Sequence, residues 1–250
     1  MDNRRTFIKK ATLGVAGIAT TPFLKPEELR MEPSSIKAGN LTILLQGDSI
    51  TDFGRDRGAY YANNGRGMGG GYVYQIVAEM LGAHPDKNYR FYNRGISGNK
   101  VYQLAERWED DCLQLKPDVL SILIGVNDFW HTLSSGYTGT VETYDTDFRQ
   151  LLDRTKQALP DIKLIIGEPF AVEGGSAITP SWFPEFPHYQ KAARNIANDY
   201  GAEFIPYQEI FDEALQKAPV DYWCPDGVHP SMAGGYLMKE AWIEAFYKLG

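Results

Sequence analysis

Two hydrophobic periods alternate along the chain, and the switches between them divide it into strands and helices. Leu41-Thr42-Ile43-Leu44-Leu45-Gln46 is an apolar, partly β-branched run of strand length. Such a run suits a strand buried on both faces. It stops at Gly47-Asp48, a turn signal, which puts Ser49 just past the carboxyl end of the strand. Tyr72 to Leu81 then carries Val73, Ile76, Val77, Met80 and Leu81 at helical spacing, and Tyr89-Arg90-Phe91-Tyr92 reads as a second strand. The alternation continues with a helix over Val101–Leu115, a strand over Val119–Ile124, a helix over Asp147–Leu159 and a strand over Leu164–Ile166. A helix over Tyr189–Tyr200, a short strand Glu203–Ile205 and a closing helix Ser231–Leu249 complete it.

Strand and helix in strict alternation predict right-handed crossovers and a parallel sheet covered on both faces. A chain of 250 residues fills one such domain. Three segments have no clear period. Residues 53–71, rich in Gly, Arg, Asn and Tyr, read as a loop over the first strand end. Residues 129–145 and 168–187 follow predicted strands, so they should lie at the same carboxyl edge, as lids or substrate walls.

The amino terminus changes the charge picture. Asn3-Arg4-Arg5-Thr6-Phe7-Ile8-Lys9-Lys10 precedes the small-apolar run Ala11–Ala19, about half the length needed to span a bilayer. Residues 1–21 resemble a twin-arginine export signal, and the Pro- and Ser-bearing residues 22–40 read as a linker to a domain at 41–250. A periplasmic or extracellular destination follows as an expectation. The whole chain carries −7; residues 1–21 hold Arg4, Arg5, Lys9 and Lys10 against Asp2, a net +3, which leaves −10 on the remainder. An acidic body argues against nucleic acid as a partner and against stable membrane insertion. The two cysteines, Cys112 and Cys224, form no disulfide framework, and no Cys/His cluster has zinc spacing.

Candidate chemistry gathers at the predicted strand ends, where ligands bind in open α/β sheets. A serine nucleophile needs a base and an oxyanion donor set. His84 falls near a helix end, and His131 and His188 fall in predicted loops. His229 stands apart in Asp226-Gly227-Val228-His229-Pro230, where the aspartate can fold back through a glycine turn and fix the imidazole tautomer. Asn93-Arg94-Gly95-Ile96-Ser97-Gly98-Asn99 and Gly125-Val126-Asn127-Asp128 supply a glycine N–H and a neutral amide at two further strand ends.

Together Gly47-Asp48-Ser49-Ile50, Gly95 in Asn-Arg-Gly-Ile-Ser-Gly, Gly125-Val126-Asn127-Asp128 and Asp226-x-x-His229-Pro230 resemble the four blocks of the SGNH (GDSL) hydrolases, over about residues 41–247. The resemblance implies a flavodoxin-like three-layer α/β/α fold with about five parallel strands, and ester hydrolysis through an acyl-enzyme without a cofactor or metal. It implies Ser49 as nucleophile, His229 as base and Asp226 as its partner, with Ser49, Gly95 and Asn127 forming the oxyanion hole. No Gly-x-Ser-x-Gly elbow supports an α/β-hydrolase instead.

An oligosaccharide or other small-molecule O-acetyl ester is the expected substrate. Asp48, Trp130 and Trp182 are candidate contacts, with Trp130 and Trp182-Phe183 offering stacking faces for a sugar. A lysophospholipase or thioesterase activity, or a non-catalytic carbohydrate-binding role, are the alternatives.

Overall fold

The fold is built outward from β1 (Thr42–Gly47), in which every residue is buried. The structure, a computed structural model, describes residues 40–249. The expected export signal lies outside the described residues, as does all of the expected linker except Asn40. The strand is flanked by β2 (Arg90–Asn93) and β3 (Val119–Leu123), followed by β4 (Lys163–Gly167) and β5 (Glu203–Ile205). All pairings are parallel and the order is β2-β1-β3-β4-β5. This flavodoxin-type order reverses direction between β1 and β3, and the crevice outside those two carboxyl ends is the expected ligand site.

The crossovers follow from that order. The step from β1 to β2 puts α2 (Tyr72–Ala83) on one face, where it packs against the closing α9 (Met232–Lys248). Every later step runs the other way, so right-handed crossovers place α3 (Val101–Glu106), α5 (Val141–Ala158) and α6 (Phe186–Asp199) on the opposite face. Two tryptophans pin the layers. Trp242 of α9 donates to Ser121 Oγ of β3 at 2.9 Å, and Trp108, just after α3, donates to Thr155 Oγ1 of α5 at 2.9 Å.

Three expectations need correction. The helix expected over Val101–Leu115 breaks at Arg107, after which residues 109–113 form a π-helical turn. Arg107 spends its guanidinium on Arg94 O, Asn99 Oδ1, Gln46 Oε1 and Asp111, and these anchors compete with regular helix geometry. The irregular segment 129–145 contains most of α4 (Val126–Ser134), and α5 starts at Val141 rather than Asp147, capped by Thr140. Val126, Phe129, Trp130 and Leu133 have helical spacing, but the preceding Gly-Val-Asn-Asp reads as a turn. His131 and His188 therefore sit on helices α4 and α6. Two short helices, α7 (Tyr207–Leu215) and α8 (Val220–Trp223), follow β5 outside the predicted elements.

The loops 53–71 and 168–187 have structural work. Asn63 pairs with the free edge of β2: its N–H donates to Phe91 O, its Oδ1 accepts from Phe91 N–H and its Nδ2 donates to Tyr89 O. A covered edge cannot template pairing with another chain. Among the described residues no helix is long and apolar enough to cross a membrane. Cys112 and Cys224 are free and buried.

Candidate active site

Ser49 opens a one-turn helix, α1 (Ser49–Asp52), directly after β1. Its Oγ lies 2.8 Å from His229 Nε2. On the far side of the ring, His229 Nδ1 lies 2.6 Å from Asp226 Oδ2. The carboxylate is held in turn by its own chain, because Asp226 Oδ1 accepts the N–H groups of Val228 (2.9 Å) and His229 (2.7 Å). Gly227 makes this fold-back possible, since its φ of +85° is a conformation that L side chains rarely adopt. The 168–187 loop clasps the same turn through Val172 N–H to Gly227 O, Ser176 N–H to Pro225 O and Ala177 N–H to Asp226 O. That loop thus serves as a brace for the acid–base segment.

The electrostatics suit a base that starts neutral and becomes charged. The hydrogen bond that His229 Nδ1 donates to Asp226 raises the His229 pKa against burial, and the charges of Asp226 and Asp48 add to it. Burial alone would raise Asp226, but the hydrogen bonds from the His229 side chain and the two N–H groups bring it down to about 2. A carboxylate this acidic stays ionised beside the imidazolium that proton transfer from serine creates.

The oxyanion side differs from the sequence expectation. Gly95 is buried, and its single N–H donates to Asn93 Oδ1 at 2.9 Å. A Cβ on Gly95 would lie 2.5 Å from Asp52 N, so this glycine is required by close packing against α1, and it is not a free donor. Its neighbours are equally committed: Ile96 N–H to Gly47 O, Ser97 N–H to Asp52 Oδ2, Asn99 N–H to Ile96 O, Lys100 N–H to Gln103 Oε1 and Val101 N–H to Asp128 Oδ1. Gly98 is the exception. It is half-buried, its φ of +80° fits the third position of the Ile96–Asn99 turn, and among the described residues no acceptor engages its N–H. Sequence reasoning missed it; the signal was the second glycine of Gly-Ile-Ser-Gly.

Asn127, in the first turn of α4 beside this loop, donates one Nδ2 hydrogen to Asn99 O at 3.3 Å. An amide nitrogen carries two hydrogens, so a second remains. Ser49, as the first residue of α1, presents an N–H with no intrahelical acceptor.

Two expected substrate contacts are removed by burial. Asp48 is 1% exposed: it caps α1 by accepting the Ile50 N–H at 3.0 Å, and burial pushes its carboxyl up to about 7. Trp182 is 1% exposed and packs among Phe129, Phe186 and Trp130. Its neighbour Phe183 points outward instead, and Trp130 is half-buried, leaning on Trp182 with 5.7 Å between ring centroids.

A serine, a histidine and an aspartate thus stand in hydrogen-bonded series at the crevice of a flavodoxin-type sheet. The sequence profile of the GDSL-like Lipase/Acylhydrolase family matches residues 45–236, and the chain belongs to that family. It is a carboxylic ester hydrolase. The acetylxylan esterase of Geobacillus stearothermophilus is 33% identical over 205 residues, 80% of this chain and 91% of that one. Its crystal structure superposes with a TM-score of 0.74 at 32% identity, covering 84% of this chain and 96% of that one. Solved forms of that enzyme include serine-to-alanine and aspartate-to-alanine catalytic mutants. A Parabacteroides merdae protein described as a GDSL-like lipase superposes with a TM-score of 0.82 at 50% identity, covering 85% of this chain and 97% of that one.

Proposed function

We propose that this esterase removes small acyl groups, acetyl above all, from carbohydrate through an acyl-enzyme on Ser49. The observation that carries the mechanism is the series Ser49 Oγ–His229 Nε2 at 2.8 Å and His229 Nδ1–Asp226 Oδ2 at 2.6 Å. His229 takes the Ser49 proton as the oxygen attacks the ester carbonyl, and Asp226 holds the ring with its proton on Nδ1. The oxyanion is met by the N–H groups of Ser49 and Gly98 and by the second Nδ2 hydrogen of Asn127. His229 then protonates the departing alcohol, and a water activated by the same base releases the acid.

The carbohydrate part of the reading is supported by the acetylxylan esterase relative and by Trp130. This half-buried indole stands three residues from Asn127 and is braced by Trp182, so it can offer a sugar a stacking face. Export, expected from residues 1–21, would bring such an enzyme to its polysaccharide and is part of the same proposal.

The test is acetate release from acetylated xylan or pectin fragments beside a short- and long-chain p-nitrophenyl ester series, with wild type and Ser49→Ala. Acetate release and short-chain turnover that vanish in Ser49→Ala are expected. A preference for long acyl chains would replace the carbohydrate reading with a lipid one. A folded wild type that turns over no ester would overturn the assignment of Ser49.

A further inference from the structure

His131 and Lys100 form a pair that the ester-hydrolysis scheme leaves unused. His131 lies on α4 one turn after Asn127, and its Cε1 comes within 3.9 Å of the position a Cβ on Gly98 would occupy. The ring is half-buried and leans over the loop that presents the free Gly98 N–H. Behind it, Lys100 Nζ lies 3.0 Å from His131 Nδ1. Lys100 is only 7% exposed, and among the described residues no carboxylate forms an ion pair with it. Its ammonium instead sits 5.1 Å from the Tyr137 ring centroid and 5.6 Å from that of Tyr102, two rings that stack 6.0 Å apart. Two aromatic faces hold a cation without neutralising it.

This arrangement fixes a tautomer. A lysine ammonium has three donors and no acceptor, so Nδ1 of His131 must accept and the neutral ring must carry its proton on Nε2. Burial, followed by the Lys100 charge, holds the imidazole below its ordinary pKa, which keeps it neutral. Burial pushes the carboxyl of Asp128, on the same α4, up to about 7 against the nearby Lys100 charge, and its Oδ1 is already taken by the Val101 N–H. Among the described residues the Nε2–H of His131 has no acceptor.

We propose that His131 is a substrate-binding residue of this site, its Nε2–H donating to a hydroxyl or ring oxygen of the sugar that bears the scissile ester. Lys100 is the positioning residue that sets the donor. The inference rests on the carbohydrate reading, so its test separates the two.

The kcat/KM of wild type, His131→Phe, Lys100→Met and Lys100→Arg would be compared on acetylated xylo-oligosaccharides and on p-nitrophenyl acetate, which shares the acetyl group but has no sugar. The ratio of the first to the second should fall roughly tenfold in His131→Phe, the worth of one well-made hydrogen bond. The fall should appear mainly in KM, recur in Lys100→Met and be largely restored in Lys100→Arg. Nitrogen–proton correlation spectra of the His131 ring should show the Nε2–H tautomer in wild type and lose that preference in Lys100→Met. An unchanged ratio in His131→Phe, or an Nδ1–H tautomer in wild type, would overturn the inference while leaving the carbohydrate reading intact. A wild type active on p-nitrophenyl acetate and inert on every acetylated sugar would overturn both.

Discussion

The two halves of the active site are built on opposite plans. The acid–base half is local: Asp226 and His229 are three residues apart, and one Gly227 turn brings Oδ2 to 2.6 Å from Nδ1. The oxyanion half is collective. The loop from Asn93 to Val101 is held by Asn93, Gly47, Asp52, Arg55, Arg107, Gln103 and Asp128, and the N–H left over, that of Gly98, is the one the proposed mechanism uses. A local constellation has one job per residue. In a collective one, a residue that looks chemical can have its donor spent on the loop itself, as the Gly95 N–H is on Asn93 Oδ1.

The largest effect should come from breaking the local half. Asp226→Asn should cut kcat by about 10³–10⁴, since the amide can no longer hold the Nδ1–H tautomer. It should also move the acid limb of the rate profile. His229 must be neutral to act, and in wild type the Asp226 hydrogen bond raises its pKa, so activity rises with pH only through that raised value. Asp226→Asn removes the raising interaction and shifts the limb to lower pH. A kcat/KM profile with an unmoved limb would contradict the pairing.

Asn127→Ala should rank next, lowering kcat by about 10²–10³ with little change in KM for small esters, as for the loss of one oxyanion donor. The folded protein should remain, but one anchor of the loop goes too, because Nδ2 also donates to Asn99 O. Steady-state kinetics beside a thermal melt separate these two consequences.

Linkage makes the acid–base pair visible in stability as well. The raised His229 pKa means that its protonated form favours the fold. That contribution is fully present below the ordinary value of 6.5 and is lost as pH rises through the folded value. Asp226 has the opposite sign: its folded carboxyl lies at about 2, so its contribution is present above the ordinary 3.8 and lost as pH falls toward 2. Denaturant midpoints across pH should show both slopes in wild type; Asp226→Asn should lose the acidic one and weaken the one near neutrality, because the Asp226 hydrogen bond is also what raises His229.

The same contrast explains what the sequence could disclose. The strands were legible because β1, β3 and β4 are continuous apolar runs, and their order made the carboxyl edge the site. Asp226 and His229 were legible because both partners and the turn between them lie within one short motif. Gly98 was not, because its role depends on which neighbouring N–H groups find acceptors on Gly47, Asp52 and Asp128, all distant in sequence. Asp48 and Trp182 misled for a related reason: proximity in sequence to Ser49, or a place in a strand-end loop, says nothing of which way a side chain turns. Likewise α4 hid behind a motif whose first residues serve the site, and its helical start looks like a turn.

The finest test sets the two glycines against each other. A Cβ on Gly95 meets backbone atoms at 2.5 Å and 2.9 Å, Asp52 N and Thr51 C, and backbone cannot move aside cheaply. Gly95→Ala should therefore destabilise the protein by about 1–3 kcal/mol, as overpacking does, and lower the melting temperature by several degrees. At Gly98 the space is open, with only His131 Cε1 at 3.9 Å, and the cost is the φ of +80° alone, about 1 kcal/mol. Gly98→Ala should thus melt only about 2–4 °C below wild type, less than Gly95→Ala. Any relaxation of that strained φ would tilt the Gly98 N–H away from the oxyanion of the proposed mechanism, so kcat should fall severalfold while KM changes little. If Gly95→Ala instead kept its melting temperature and lost turnover, with Gly98→Ala silent in turnover, the backbone donor would belong to Gly95 after all.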